Sequence, residues 1–148
     1  MTDVEGGIDY TKFQLSLVRL EEQYEHLRRD IDGLPDWIVE GVKESVIQRF
    51  ETCYDTCWKL LRRYLSIEMG VGEVPNGPRP VLRLAAENNL LGNELVDWLS
   101  YAQARIDTAH DYNAEKADAC LALMPRFIQD ATNLYEKLTG LRWSKTKR

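Results

Sequence analysis

Hydrophobic residues recur along this chain in steps of three and four, which is the spacing of an α-helix and not of a strand. The first such segment can be capped by Asp9 and ends at the Asp-Gly-Leu-Pro sequence of residues 32–35. Three heptads followed by this breaker favour a bundle helix over a long coiled coil. The apolar positions are Tyr10, Phe13, Leu17, Leu20, Tyr24, Leu27 and Ile31.

A second helical pattern begins at Asp36, which can cap it, and runs to Met69 before Gly70 and Gly72. Thirty-odd residues correspond to a helix of about 50 Å, so we expect a break or bend near Gly41. The apolar positions include Val39, Val42, Val46, Phe50, Cys53, Tyr54, Cys57, Leu61, Tyr64 and Leu65.

Residues 70–80 (GVGEVPNGPRP) form the long loop of the chain, and they are too few to separate two folding domains. Residues 81–86 predict a short helix that ends at Asn88 and Asn89. Asn93 can cap a fourth helix that runs to about His110. This helix is expected to bury Leu95, Val96, Trp98, Leu99, Ala102 and Ile106.

Asn113 is a good N-cap for a further helix, with Glu115 in its first turn. Pro125 is expected to break or kink this helix, and the final segment ends at Gly140. Since no strand pattern occurs, the sequence predicts an all-α fold: an antiparallel four- to five-helix up-down bundle. We expect residues 1–9 to be a disordered N-terminus, 10–140 one domain, and 141–148 a basic tail.

The composition limits the function. A net charge of −5 argues against general capture of nucleic acid, although a small basic cleft is compatible with it. No apolar run reaches the roughly 20 residues of a membrane helix, and the acidic N-terminus does not resemble a targeting signal, so a cytoplasmic location without membrane contact is expected. Cys53 and Cys57 share a helix face and are expected to be small core residues. His26 and His110 have no ligand partner at helical spacing, so we predict neither metal nor cofactor.

The candidate chemistry lies in the sequence Arg105-x4-His110-x-Tyr112. A guanidinium can hold a phosphate, an imidazole can exchange a proton near neutral pH, and a phenol can be modified. On an unbroken helix His110 would lie about 140° from Arg105, so a shared site requires the helix to end near His110. Thr108 adds a polar group at this corner. The common alternative is a capping hydrogen bond and a surface charge.

A polar strip accompanies this motif on the second helix, where Glu51, Asp55 and Lys59 lie one turn apart. It is either a surface ladder of ion pairs or a strip that faces a cleft. In the second case Glu51 or Asp55 would orient Arg105.

Two blocks of sequence resemble the HEPN family, in its HepT-like branch of nucleotidyltransferase substrate-binding proteins. The first comprises residues 48–51 (QRFE), 58–61 (WKLL) and 64–65 (YL), and the second runs from Arg105 to Tyr112. The resemblance extends from residue 13 to about residue 138. The family usually has a polar residue where this chain has Ile106, and Asp107 follows as a possible substitute. Asp55 stands where Glu is common.

This resemblance implies a homodimeric toxin that acts as a metal-independent endoribonuclease on RNA. It also implies a cognate minimal nucleotidyltransferase as antitoxin, which transfers AMP to Tyr112. In RNA cleavage, His110 would act as general base or acid and Arg105 would stabilise charge on the phosphate. One alternative, which Ile106 and the acidic composition favour, is a non-catalytic substrate-binding subunit of a nucleotidyltransferase complex. Another is a helical dimer without a site.

Overall fold

The structure is a computed structural model that describes residues 7–92, 94–110 and 113–144, with only the backbone of His110. This part of the chain forms five helices and contains no strand, so the predicted all-α bundle is confirmed. The helices are α1 (Thr11–Arg29), α2 (Asp36–Ile67), α3 (Pro78–Glu87), α4 (Leu95–His110) and α5 (Ala114–Thr139).

Helix α2 is the central element, because it contacts each of the other four helices. It has 32 residues and buries its apolar face over most of its length, including Phe50, Cys53 and Cys57. Helices α1 and α5 pack on each other as well as on α2, and α4 lies between α3 and α5. The core is therefore a single one, and every helix in the described residues contributes to it.

Several helix ends lie where the sequence predicts them. Gly33, with φ +80°, lies in the turn after α1, and Gly140, with φ +75°, ends α5 in the left-handed conformation that glycine adopts readily. The side chain of Asn113 accepts a hydrogen bond from the backbone N–H of Lys116 (2.9 Å), which confirms it as the N-cap of α5.

The expected breaks at Gly41 and Pro125 are wrong, because α2 and α5 each continue through these residues, while a bend at either residue stays a prediction. Local breakers weaken a helix, but the apolar face that each helix packs against the core outweighs the loss. Helix α3 also begins earlier than expected, at Pro78 within the predicted loop. Proline suits a first helical position, where its missing N–H has no partner to lose.

The two helix starts that were assigned to aspartates differ slightly from the prediction. Tyr10 is the N-cap of α1, while the carboxylate of Asp9 accepts a hydrogen bond from the backbone N–H of Thr11 (2.9 Å). Asp36 is the first residue of α2, and Pro35 precedes it as the N-cap. The predicted cap Asn93 lies outside the described residues.

The buried face of α4 differs from the predicted one at two positions. Val96 is 75% exposed and Ile106 is 43% exposed, although both were expected in the core. Tyr101, Ala104 and Thr108 are buried instead. Because this face includes alanine and a hydroxyl, hydrophobicity alone does not identify it.

Both ends of the described chain pack against the bundle. Ile8 is buried, and Trp143 stacks edge-on against Tyr135 with ring centroids 5.0 Å apart. The indole N–H of Trp143 donates to Glu21 (3.0 Å), which joins the segment after α5 to α1. Residues 1–6 and 145–148 lie outside the described part. None of the described helices has both the length and the apolar character of a membrane span.

Candidate functional site

Arg105 of α4 makes a two-pronged contact with Asp55 of α2. Its Nε and Nη2 donate to the two carboxylate oxygens at 3.2 and 3.1 Å, and its Nη1 lies 3.6 Å from Oε2 of Glu51. All three side chains are partly shielded from solvent. Arg105 therefore faces two carboxylates, in the geometry that suits guanidinium–carboxylate pairing.

Thr108 holds the second of these carboxylates from the next turn of α4. Its hydroxyl donates to Oε2 of Glu51 (2.7 Å) and lies 3.1 Å from the carbonyl oxygen of Ala104. Glu51 and Asp55 are one turn apart on α2, as Arg105 and Thr108 are on α4. The two pairs match across the helix interface, and they fix how far α4 slides along α2.

The two neighbouring carboxylates keep the guanidinium of Arg105 charged and engage its N–H groups. The hydrogen bond with Asp55 raises the pKa of the guanidinium, more than its partial burial lowers it, and Glu51 adds to the increase. The formal charges are one cation against two carboxylates, so the cluster as a whole does not attract an anion.

The hydroxyl of Tyr54, the neighbour of Asp55, has no hydrogen-bond partner among the described residues. The side chain is almost fully buried, and burial followed by the charge of Asp55 raises its pKa well above the ordinary value. The phenol therefore stays neutral and acts as part of the core.

Asp107 joins a different set of contacts. It accepts a hydrogen bond from Nε2 of Gln103 (2.9 Å), whose Oε1 accepts one from Nη2 of Arg79 on α3 (2.7 Å). Asp107 thus belongs to a polar chain that links α3 and α4 at the surface, apart from the contacts of Arg105.

The corner of the motif agrees with the prediction as far as the structure describes it, because α4 ends at His110. The side chain of His110 and all of Asp111 and Tyr112 lie outside the described residues. Of the predicted site residues, Arg105, Glu51, Asp55 and Thr108 come together. Their functional roles remain predictions.

The polar strip of α2 is neither a complete surface ladder of ion pairs nor a strip that faces a cleft along its whole length. Glu51 and Asp55 bind α4, whereas Lys59 lies over the ring of Trp58, with Nζ 5.8 Å from its centroid. In the described part of the chain, no group of three or more His, Cys, Asp and Glu residues is arranged to hold a metal ion.

A second polar cluster is buried between α4 and α5. Asp130 is only 5% exposed and accepts a hydrogen bond from the hydroxyl of Tyr101 (2.5 Å). Burial raises the pKa of Asp130 above its ordinary value, and burial together with the charge of Asp130 raises that of Glu94. Sequence reasoning missed this cluster, because a lone Asp in a helix pattern gives no sign of burial.

A family model described as "Nucleotidyltransferase substrate binding protein like" matches residues 8–140. Since this match covers nearly the whole bundle, the chain belongs to that family. The chain is also similar to a solved crystal structure of a protein from Thermus thermophilus, with a TM-score of 0.71 and 26% sequence identity. That similarity covers 86% of this chain and 98% of the other. A comparison with curated proteins gave no match.

Proposed function

We propose that this chain is a non-catalytic subunit that binds a nucleotidyltransferase partner. Membership of the nucleotidyltransferase substrate-binding family over residues 8–140 supports this proposal. The observation that carries it is the state of Arg105, whose guanidinium is held by Asp55 at two points and by Glu51 at a third.

The state of Arg105 argues for binding and against catalysis. A guanidinium that stabilises a phosphate in a reaction must direct N–H donors at the phosphate oxygens. Here Nε and Nη2 donate to one carboxylate, and Nη1 faces another. If Arg105 turned towards a phosphate, the carboxylates of Glu51 and Asp55 would lose their cation. This cost opposes the binding of a phosphate by Arg105.

The proposal is tested by mixing the purified chain with a minimal nucleotidyltransferase from the same organism. We expect one complex in size-exclusion chromatography with light scattering, and no cleavage of RNA by the chain alone in EDTA. Two separate peaks at micromolar concentration would contradict the proposal. Circular dichroism of the purified chain controls for loss of structure.

The second candidate function is the ribonuclease toxin. The end of α4 at His110, five residues after Arg105, favours it, because this is the corner that a shared site requires. His110 would take the proton of the ribose 2′-hydroxyl or donate one to the leaving oxygen, and Arg105 would hold the phosphate. Asp55 and Glu51 would orient the guanidinium, and Thr108 would fix Glu51.

This candidate predicts EDTA-resistant RNA cleavage that both His110→Ala and Arg105→Gln abolish. Asp107→Asn is the matched control, because Asp107 contacts Gln103 and not Arg105. Equal cleavage by the wild type and His110→Ala would exclude His110 from the reaction.

AMP transfer to Tyr112 is a separate part of the same proposal. Incubation with the nucleotidyltransferase and ATP would add one AMP to the intact mass, and Tyr112→Phe would remove the gain. A gain that survives this substitution would place the modification at another residue.

We also infer a homodimer, with the exposed Val96 and Ile106 of α4 in its interface. Val96→Glu combined with Ile106→Glu is expected to give a monomer by light scattering. Leu141→Glu, at another exposed apolar side chain, is the control and leaves the mass unchanged. A dimer that persists in the α4 variant would place the interface elsewhere.

A further inference from the structure

A groove lies between α1 and α2, on a face that the Arg105 contacts do not use. Its volume is about 500 Å³, within the range of small-molecule sites. Lys12 and Arg19 line it from α1, and Arg49, Thr52 and Thr56 line it from α2. No acidic side chain is among its lining residues in the described part of the chain. We call this cavity the α1/α2 groove.

The three cations of the α1/α2 groove have no carboxylate within ion-pair distance among the described residues. Five other basic side chains of the bundle do have an acidic partner at this distance, whereas Lys59, which lies over Trp58, and Arg79, which contacts Gln103, also lack one among the described residues. The five paired cations are Arg28, Arg29, Lys43, Arg105 and Arg126. The α1/α2 groove is nevertheless locally positive in a chain of net charge −5, because three unpaired cations line this one cavity and no acidic side chain is among its lining residues in the described part of the chain.

Arg49 is held in position within this site. Its Nη1 donates to the backbone carbonyl oxygen of Arg19 (3.0 Å), and its side chain is partly buried. This contact fixes the guanidinium beside α1 and leaves the other N–H groups of Arg49 without a partner among the described residues. A planar guanidinium with free donors suits the oxygens of a phosphate.

The positive face continues along α2. A neighbouring groove of about 580 Å³ shares Lys12, Thr52 and Thr56 with the first and adds Lys59 and Arg63. Along α2 the positions 49, 52, 56, 59 and 63 follow the three-four spacing of one helix face. From Arg49 to Arg63 the face extends over about 21 Å at 1.5 Å per residue. Asp9 and Asp55 border only this second part.

We propose that the α1/α2 groove binds phosphate groups, with Lys12, Arg19 and Arg49 as the donors. The ligand is a phosphate-bearing molecule, either a free nucleotide or a single-stranded nucleic acid whose backbone follows the face of α2. The proposal goes beyond the partner-binding function and does not depend on it, because binding is measured on this chain alone.

Two probes distinguish the sources of phosphate. One is a fluorescent ATP analogue with pyrophosphate as competitor, and the other is a short fluorescein-labelled single-stranded RNA. The test variant is Arg19→Gln combined with Arg49→Gln. The control is Arg83→Gln combined with Arg142→Gln, which removes the same charge from two exposed arginines outside the groove. Thermal unfolding confirms that both variants are folded.

We expect the groove variant to bind its probe at least about tenfold more weakly and the control within about twofold, as the loss of charge-assisted hydrogen bonds implies. Binding of the ATP analogue that pyrophosphate displaces identifies a nucleotide. Binding of the RNA identifies a nucleic acid, and the dependence of affinity on salt then weakens in the groove variant.

Three results would overturn the proposal. The first is that neither probe binds the wild type. The second is an equal loss in the two variants, which would indicate net charge and not the groove. The third is displacement of the probe by an acidic peptide as effectively as by pyrophosphate, which would indicate a docking surface for protein.

Discussion

Two carboxylates in this bundle have opposite surroundings. Asp55 is held by the guanidinium of Arg105, whereas the buried Asp130 is held by the uncharged hydroxyl of Tyr101. The acidic neighbours Asp97 and Glu94 lie near Asp130, and Arg126 contacts Asp97. Burial first, and then the charge of Asp97, disfavour an ionised Asp130 in the fold. Its pKa therefore lies above the ordinary 3.8, although the hydrogen bonds with Tyr101 and Glu94 partly lower it.

The raised pKa of Asp130 predicts how stability depends on pH. The fold favours the protonated carboxyl group of Asp130. The contribution of this group to the free energy of unfolding is therefore fully present below pH 3.8 and is lost as the pH rises through the raised pKa of the folded state. Asp130→Asn keeps an acceptor for Tyr101 and removes the charge. Its free energy of unfolding, relative to wild type, is expected to increase from acidic to neutral pH.

Urea denaturation at a series of pH values measures this difference. Asp118→Asn, at an exposed position of the same helix, is the control for the loss of one carboxyl group. A difference between Asp130→Asn and wild type that is constant with pH would contradict the argument.

Thr108 gives a second prediction for a single residue. Thr108→Val keeps the volume but removes the hydrogen bond to Glu51, so we expect a loss of about 1 kcal/mol in the free energy of unfolding. Thr56→Val is the control, because its hydroxyl donates only to the Thr52 carbonyl within α2. Urea denaturation checks both, and an equal effect would show that the contact with Glu51 adds nothing.

At the level of elements, α5 contains a proline in its interior. Pro125 is exposed and has no N–H to donate to the preceding turn, yet the helix continues through it. The packing of Met124 and Phe127 on either side of it holds the helix in place. The element is therefore stabilised by its buried face and not by its local sequence.

Pro125→Ala should therefore stabilise the protein, by about 2 kcal/mol, because alanine restores the missing hydrogen bond and the helical preference. The gain is reduced because proline also restricts the unfolded chain. Thermal and urea unfolding measure it, with Gln129→Ala as an exposed control on α5. Destabilisation by Pro125→Ala would mean that the core requires the bend of a proline.

The sequence predicts helix ends best where a residue has a strong local conformational preference. Gly33, Asn113 and Gly140 lie where the pattern predicts a turn or a cap, since their conformations depend on nearby backbone. The continuity through Pro125 and the orientation of α4 were not predicted, because both depend on packing against other helices. The sequence named Arg105, Glu51, Asp55 and Thr108 as candidates and offered Glu51 or Asp55 as the partner of Arg105. The two-pronged contact with Asp55 depends on the position of α4 along α2, which a single sequence does not contain.

In the molecule as a whole, three helices meet through one aromatic cluster. The ring of Phe127 on α5 lies 5.0 Å from those of Phe50 and Tyr101 and 5.8 Å from that of Trp98. The rings are close to perpendicular, the favourable edge-to-face arrangement. This cluster connects α2, α4 and α5, and a separate ring contact between Phe13 and Tyr135 joins α1 to α5.

Phe127→Leu is therefore expected to lower the free energy of unfolding in a single transition, and Phe127→Ala to lower it by about 3 to 5 kcal/mol. Circular dichroism and tryptophan fluorescence should report the same urea midpoint, because the core is shared. Leu141→Ala, at an exposed position, is the control. Separate midpoints for the two signals would show that the helices do not unfold in a single transition.

The three cysteines of the chain, Cys53, Cys57 and Cys120, are all buried and unbridged. Burial raises the pKa of the Cys57 thiol well above its usual value and that of Cys120 to about 12, so neither forms a reactive thiolate in the fold. A new cysteine on the surface would consequently be the preferred target of a maleimide dye, without removal of the native ones. Spectroscopic distance measurements across the bundle can thus start from the wild-type background.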